Sequence, residues 1–337
     1  MPDSESRTGD TPAKASAEKF RPLDLLIQYN FVAIFLVVVI IASFLSENFL
    51  TFTNIANLVQ QAAVVGVVAV GMTFVILTAN IDLSVGSVVA FAGMVVALLL
   101  AAGVNPVLAV VLTLVIGAAA GASMGAISAF AGVPSFIVTL AGLVSFRGLT
   151  YLLTDGVPVS GLPAGFSSVS SSMIPLFPGF NLSSMGLIFI VAAVLAALIL
   201  RLTVFGEYVY ATGGNPEAAR LAGLPTKRIV VAVFAISGLM SALGGILLTA
   251  RLRIGQPTAA QGLELDAIAA VVLGGTSLFG GRGSVVGTLF AVMLLQVLRN
   301  IFNLLGLGSF YQMTITGVII IAAVLLNRFL DFRRGSA

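Results

Sequence analysis

The chain has no cysteine, no histidine and no tryptophan, and only 9% of its 337 residues are charged. Without cysteine there are no disulfides and no thiolate metal sites. Without histidine the commonest general base and metal ligand is missing. Lysine occurs only at Lys14, Lys19 and Lys227, which follow Ala13, Glu18 and Thr226, so no Gly-Lys-Ser/Thr phosphate loop exists. None of these lysines falls in a long apolar run, which removes a Ser–Lys hydrolase as well. No catalytic constellation and no metal site is expected, and any ATP with its magnesium must be used by another chain.

Apolar residues dominate instead: 59% of the chain is hydrophobic, with mean hydropathy +1.14. A soluble domain cannot bury that much apolar surface, which indicates an all-α polytopic membrane bundle. Charges are absent from Leu83 to Phe146, from Gly156 to Leu200 and from Asn300 to Asn327. These runs exceed the roughly 20 residues of one crossing. About ten crossings are expected, near 28–46, 57–78, 84–102, 106–130, 135–154, 183–201, 228–250, 264–280, 285–303 and 309–327, one or two of them broken or re-entrant. Residues 1–27 read as a polar cytoplasmic tail, 28–327 as the transmembrane domain and 328–337 as a second cytoplasmic tail. Lys14, Lys19 and Arg21, then Arg201, Arg220, Lys227 and Arg228, then Arg328, Arg333 and Arg334 all fall on one side of such a bundle, the cytoplasmic one. The net charge of +3 reflects this bias and does not suggest nucleic-acid binding.

The loop 204–228 is a polar island between apolar runs. Within it Pro216–Ala222 carries the end signals of a short helix. Asn215 suits the N-cap, Pro216 the first helical position, Glu217 the positive end of the dipole, and Gly223 the left-handed C-terminal position before Pro225. Polar groups at membrane depth are few: Asn57, Gln60 and Gln61, Asn80 and Asp82, and Gln296 and Asn300 are the candidates for a translocation path, since such groups face a bundle interior or a cavity. Asp82 also suits a cap for the helix starting near Ser84. Gly117, Gly121 and Gly125 form a stripe that lets backbones pack closely. Arg251 and Arg253 lie beyond a charge-free helix, on the outer side, where carboxylates of a docking partner or the nearby Glu264 and Asp266 can meet them. Three classes compete on these features: a permease driven by a separate ATPase, an ion-coupled secondary transporter of a small polar solute, and an integral-membrane enzyme. The last lacks a reactive cluster, and the second has in Asp82 its clearest proton-carrying candidate.

Glu217-Ala218-Ala219, three further residues and Gly223 resemble the Glu-Ala-Ala-x-x-x-Gly signature of permeases in bacterial ABC importers, although the downstream Ile-x-Leu-Pro is absent. The stretch from Thr78 to Ser87, containing Ile81-Asp82-Leu83-Ser84-Val85-Gly86-Ser87, is similar to a signature of ribose-type sugar permeases, with Ala79-Asn80 in place of Gly-Gly. Pro134–Leu140 and Leu273–Ser284 fit the same family. The resemblance spans roughly Phe31 to Asn327. It implies a paired, typically homodimeric permease in the bacterial inner membrane, with a cytoplasmic ABC ATPase and a soluble sugar-binding protein as partners. On it, Asn215, Pro216, Glu217, Ala218, Ala219, Arg220, Leu221 and Gly223 form the ATPase-coupling element, and a monosaccharide crosses by alternating access.

Overall fold

A computed structural model describes residues 30–308 and positions 310–312, 314, 315, 317, 318 and 321. The expected tails 1–27 and 328–337, their basic residues, and most of the expected crossing 309–327 lie outside the described residues. Among the described residues the regular structure is helical apart from one small hairpin. Its elements are α1 (Asn30–Leu45), α2 (Phe52–Leu77), α3 (Val85–Ala101), α4 (Pro106–Ala131), α5 (Ser135–Leu152), α6 (Ala164–Ser171), β1 (Met173–Phe177), β2 (Phe180–Ser183), α7 (Ser184–Leu202), α8 (Val204–Gly214), α9 (Pro216–Leu221), α10 (Thr226–Leu252), α11 (Leu263–Leu273) and α12 (Val285–Leu304).

Six helices, α2, α4, α5, α7, α10 and α12, are long and apolar enough to cross a membrane, and α1 and α3 are shorter apolar helices. Ten crossings are therefore not reached among the described residues. The stretch 264–280 contains only α11, which at 1.5 Å per residue is about 16 Å long and cannot span alone. It is one of the broken segments. Its chain enters through a loop, 253–262, and leaves through a glycine-rich turn.

The hairpin was not foreseen. β1 and β2 pair antiparallel, Met173 opposite Ser183 and Ile174 opposite Leu182. Pro178-Gly179 supplies the turn, with Gly179 at φ +88°. Ser183 then caps α7 by accepting the Gly186 N–H at 3.1 Å. The hairpin and the α8–α9 segment occupy opposite ends of α7, so the bundle has a hairpin end and an α9 end.

The core forms around α2 and α10. α10 packs along α4, α2 and α3. The approach to α4 depends on missing side chains: a Cβ on Gly121 would collide with the Phe234 carbonyl, and one on Gly117 with Ala242. This is the internal packing read from the glycine stripe. Gly121→Val is expected to cost about 3 kcal/mol by overpacking and to lower the thermal unfolding midpoint in detergent. Gly165→Ala, where nothing lies within 4 Å, is expected to leave it unchanged.

Candidate functional site

α9 forms as its sequence dictates. The Asn215 side chain accepts the N–H groups of Glu217 at 3.1 Å and Ala218 at 2.9 Å, which satisfies donors that the first helical turn leaves open. At the other end Leu224 N–H donates to Ala219 O and Gly223 N–H to Arg220 O, both at 3.0 Å. This paired closure needs the left-handed residue that Gly223 provides at φ +87°. Ala222 is the C-cap, so the helix ends one residue before the expected limit. Ala219 is buried against the bundle, while Leu221 is 77% exposed. Glu217 and Arg220 are exposed too, so α9 presents an apolar knob between two charges.

α8 ties α9 to the bundle. Gly213 lies so close to the end of α2 that a Cβ there would strike the Leu77 carbonyl. That carbonyl accepts the Gly281 N–H at 2.9 Å. The Tyr210 hydroxyl donates to Gly283 O at 2.9 Å, and burial pushes its phenol above the ordinary value. The turn between α11 and α12 is thus clamped between α8 and α2. Its shape requires glycine, with φ positive at Gly275, Gly280, Gly281 and Gly283. Tyr210 and Gly213 were missed in the sequence; the turn lies in Leu273–Ser284, which the sequence marked only as a family motif.

The clamp adjoins the break between α2 and α3. Ala79 adopts φ +58°, a left-handed conformation that glycine enters without penalty and alanine at about 1 kcal/mol. Asn80 closes the turn by donating to Thr78 O at 2.8 Å. Asp82, 1% exposed, accepts three bonds: from Ser84 N–H at 3.0 Å, from the Ser84 hydroxyl at 2.6 Å, and from the Ser237 hydroxyl of α10 at 2.8 Å. It holds Ser84, the N-cap residue of α3, by its N–H and hydroxyl without itself capping the helix, and fastens the break to α10. The short sequence match of Gly86-Ser87 with Gly283-Ser284 is not structural, because Ser87 lies inside α3 whereas Ser284 is the N-cap of α12.

The remaining path candidates form a second group near the hairpin end. Gln60 donates to Ser170 O at 2.7 Å, and Gln296 donates to Gln61 O at 3.3 Å. Asn300 exchanges amide bonds with Asn54 at 2.8 and 3.0 Å. The Asn57 amide makes no hydrogen bond among the described residues. The group joins α2 to α12 and α6, and its α2 residues lie about 24 to 35 Å along that helix from its end at Leu77, beyond which Asn80 and Asp82 follow. Arg251 and Arg253 are exposed at the hairpin end, Arg253 in a left-handed C-cap at φ +60°. Asp266 pairs with Arg299 at 2.7 Å, not with either of them. A groove of about 450 Å³ between α4 and α10 is lined by valine, leucine and alanine alone, among them Val111, Leu114 and Leu239. It suits a lipid acyl chain rather than a polar solute.

Residues 54–324 match the protein family described as branched-chain amino acid transport system / permease component. The chain is 45% identical to the ribose import permease protein RbsC of Bacillus subtilis (strain 168), over 87% of this chain and 90% of that protein. It is 44% identical to RbsC of Escherichia coli (strain K12), over 90% and 94% respectively. Identity to the xylose transport system permease protein XylH of Escherichia coli (strain K12) is 36%, over 83% and 86%. No solved structure is detectably similar. With a helical bundle of membrane-crossing length, a family match across most of its residues, and ribose-type permeases among its relatives, the chain belongs to the branched-chain amino acid transport system permease family of multi-pass membrane proteins.

Proposed function

We propose that this chain is the permease subunit of a binding-protein-dependent ABC importer that carries a ribose-like monosaccharide across the bacterial inner membrane. The observation that carries this reading is α9: a capped helix, exposed at Leu221 and joined through α8 to the break that holds Asp82. A cytoplasmic ATPase grips α9, uses ATP and magnesium, and moves the clamp of Tyr210, Gly281 and Leu77. The α9 end is then cytoplasmic, as are both termini, and the hairpin end faces outward. Phe279, 91% exposed beside Gly280 and Gly281, extends the apolar surface offered to the ATPase. The sugar-binding protein delivers its cargo at the hairpin end. A second copy of the chain completes the pathway, and surrounding lipid covers the remaining apolar faces. The chain itself holds no cofactor. The three bonds accepted by Asp82 favour a structural role over the proton relay of an ion-coupled carrier.

Arg251 and Arg253 supply exposed guanidiniums for carboxylates on the binding protein. Replacing both by glutamine is expected to slow association of the sugar-loaded binding protein about tenfold at low salt, with little change at high salt, because rim charges act mainly on encounter rate. Surface-plasmon measurements on reconstituted permease check this; an unchanged rate and salt dependence would remove the role.

The substrate assignment is tested in proteoliposomes holding the permease, its ATPase and its binding protein. Ribose uptake, with xylose as a weaker competitor, is expected. Uptake of a branched-chain amino acid in place of any monosaccharide would overturn the sugar reading.

A further inference from the structure

One face of the bundle, formed by α5, α11 and α12, carries charge within the length of its apolar helices. Arg147 lies about 18 Å along α5 from Ser135 and about 8 Å from Leu152, and Arg299 about 21 Å along α12 from Val285 and about 8 Å from Leu304. Between them the first turn of α11 brings Glu264 and Asp266. Glu264 reaches so close to Gly86, in the first turn of α3, that a Cβ on that glycine would touch its carboxylate. Gly86 is itself about 22 Å along α3 from Ala101, well within a hydrocarbon core of about 30 Å. None of the four groups is sealed in protein. Asp266 and Arg299 pair at 2.7 Å with side chains 30% and 34% exposed, Arg147 and Glu264 are half-buried, and Leu265 between the two acids is 65% exposed.

Their bonding is incomplete. One terminal nitrogen of Arg147 donates to Pro257 O at 3.0 Å and Ala259 O at 2.9 Å, which holds the loop that re-enters before α11. The other nitrogens of that guanidinium, and both Glu264 oxygens, make no hydrogen bond among the described residues. Charges at bilayer depth face water or protein, not acyl chains. Two arginines and two acids sum to zero, and the open positions are donors on Arg147 and acceptors on Glu264. A neutral polyhydroxylated solute matches that set, because each hydroxyl both donates and accepts. An anion would meet Glu264, and a cation Arg147.

We infer that Arg147 and Glu264 are the mid-membrane contact for the sugar, on a water-lined face bounded by Asp266–Arg299 and closed from lipid by a second copy of this chain. This rests on the sugar-permease reading, and it moves the transport layer from the amides of α2 and α12 to the junction of α5, α3 and α11. Among the described residues nothing covers Leu265, 65% exposed, and a second copy completes the site there.

Because the protein lacks cysteine, single replacements report solvent directly. In the assembled transporter Leu265→Cys is expected to react with a charged, membrane-impermeant thiol reagent during turnover, at least about tenfold faster than Leu195→Cys, which is exposed at the middle of α7 and faces lipid. Oxidation should also link two copies through position 265. Glu264→Gln is expected to lower sugar uptake about tenfold, the effect of losing one charge-assisted hydrogen bond, while co-purification with the ATPase is unchanged. Equal labelling of positions 265 and 195, or wild-type uptake kinetics in Glu264→Gln, would overturn the inference. If the wild-type assembly carried no monosaccharide, the sugar reading itself would fail, and labelling at 265 would still decide whether this face is aqueous.

Discussion

Leu221→Asp is expected to abolish transport while leaving the membrane bundle folded. Leu221 touches little in the chain, so its removal costs the permease itself almost nothing. In the proposed docking on the ATPase it is the apolar anchor, and burying a leucine contributes about 2 kcal/mol, or roughly thirtyfold in affinity. Placing a carboxylate in the same apolar pocket adds a desolvation penalty, so co-purification of the ATPase should fall by more than that factor. Gly223→Val attacks the same element from its end. Nothing lies within 4 Å of a Cβ there, so its cost is conformational: a β-branched residue forced to φ +87° loses about 1–2 kcal/mol. The closure by Leu224 and Gly223 then frays, and α9 no longer holds Leu221 in place. Pull-down of the ATPase and sugar-stimulated ATP hydrolysis measure both variants. Normal assembly and turnover in both would end the coupling role of α9.

Asp82→Ala is expected to act through folding. The side chains of Ser84 and Ser237 are as deeply buried as Asp82, and the substitution leaves two hydroxyls and one N–H without an acceptor. An unsatisfied buried polar group costs about 1–3 kcal/mol, so a loss of about 4 kcal/mol is expected in detergent unfolding. Asp82→Asn retains one acceptor oxygen and should lose about half as much. Whatever uptake survives in Asp82→Asn should remain ATP-dependent and indifferent to the proton gradient. Uptake that lost only its proton dependence would make Asp82 a proton carrier.

The local features were legible because their causes are local. Asn215-Pro216 and Gly223-Leu224-Pro225 specify both ends of α9 within one short segment, and the structure moves its end by a single residue. Gly117, Gly121 and Gly125 repeat at a helical spacing, so their shared packing face was readable. The hairpin had a signal in Pro178-Gly179, but its serine-rich approach carries no strand alternation. α11 was less accessible: Ala267–Leu273 is as apolar as any crossing, and only the tertiary descent of loop 253–262 shortens it. The same descent carries Glu264 to Gly86 and Arg147, so a carboxylate that reads as a helix-end residue comes to lie deep in the bundle. Gln60, Gln296 and Asn300 bond to Ser170 O, Gln61 O and Asn54, partners that no spacing in the sequence reveals and that tie α2 to α12 and to α6.

The account rests on an ATP-driven movement delivered through α9, and sugar uptake under separate control of ATP and the proton gradient tests it most directly. Proteoliposomes holding permease, ATPase and binding protein, with ATP maintained inside the compartment where the ATPase resides, should accumulate ribose equally with and without an uncoupler and should stop when ATP is omitted. Uptake that ceases on adding uncoupler while ATP is held constant would contradict the account and place the chain among ion-coupled carriers.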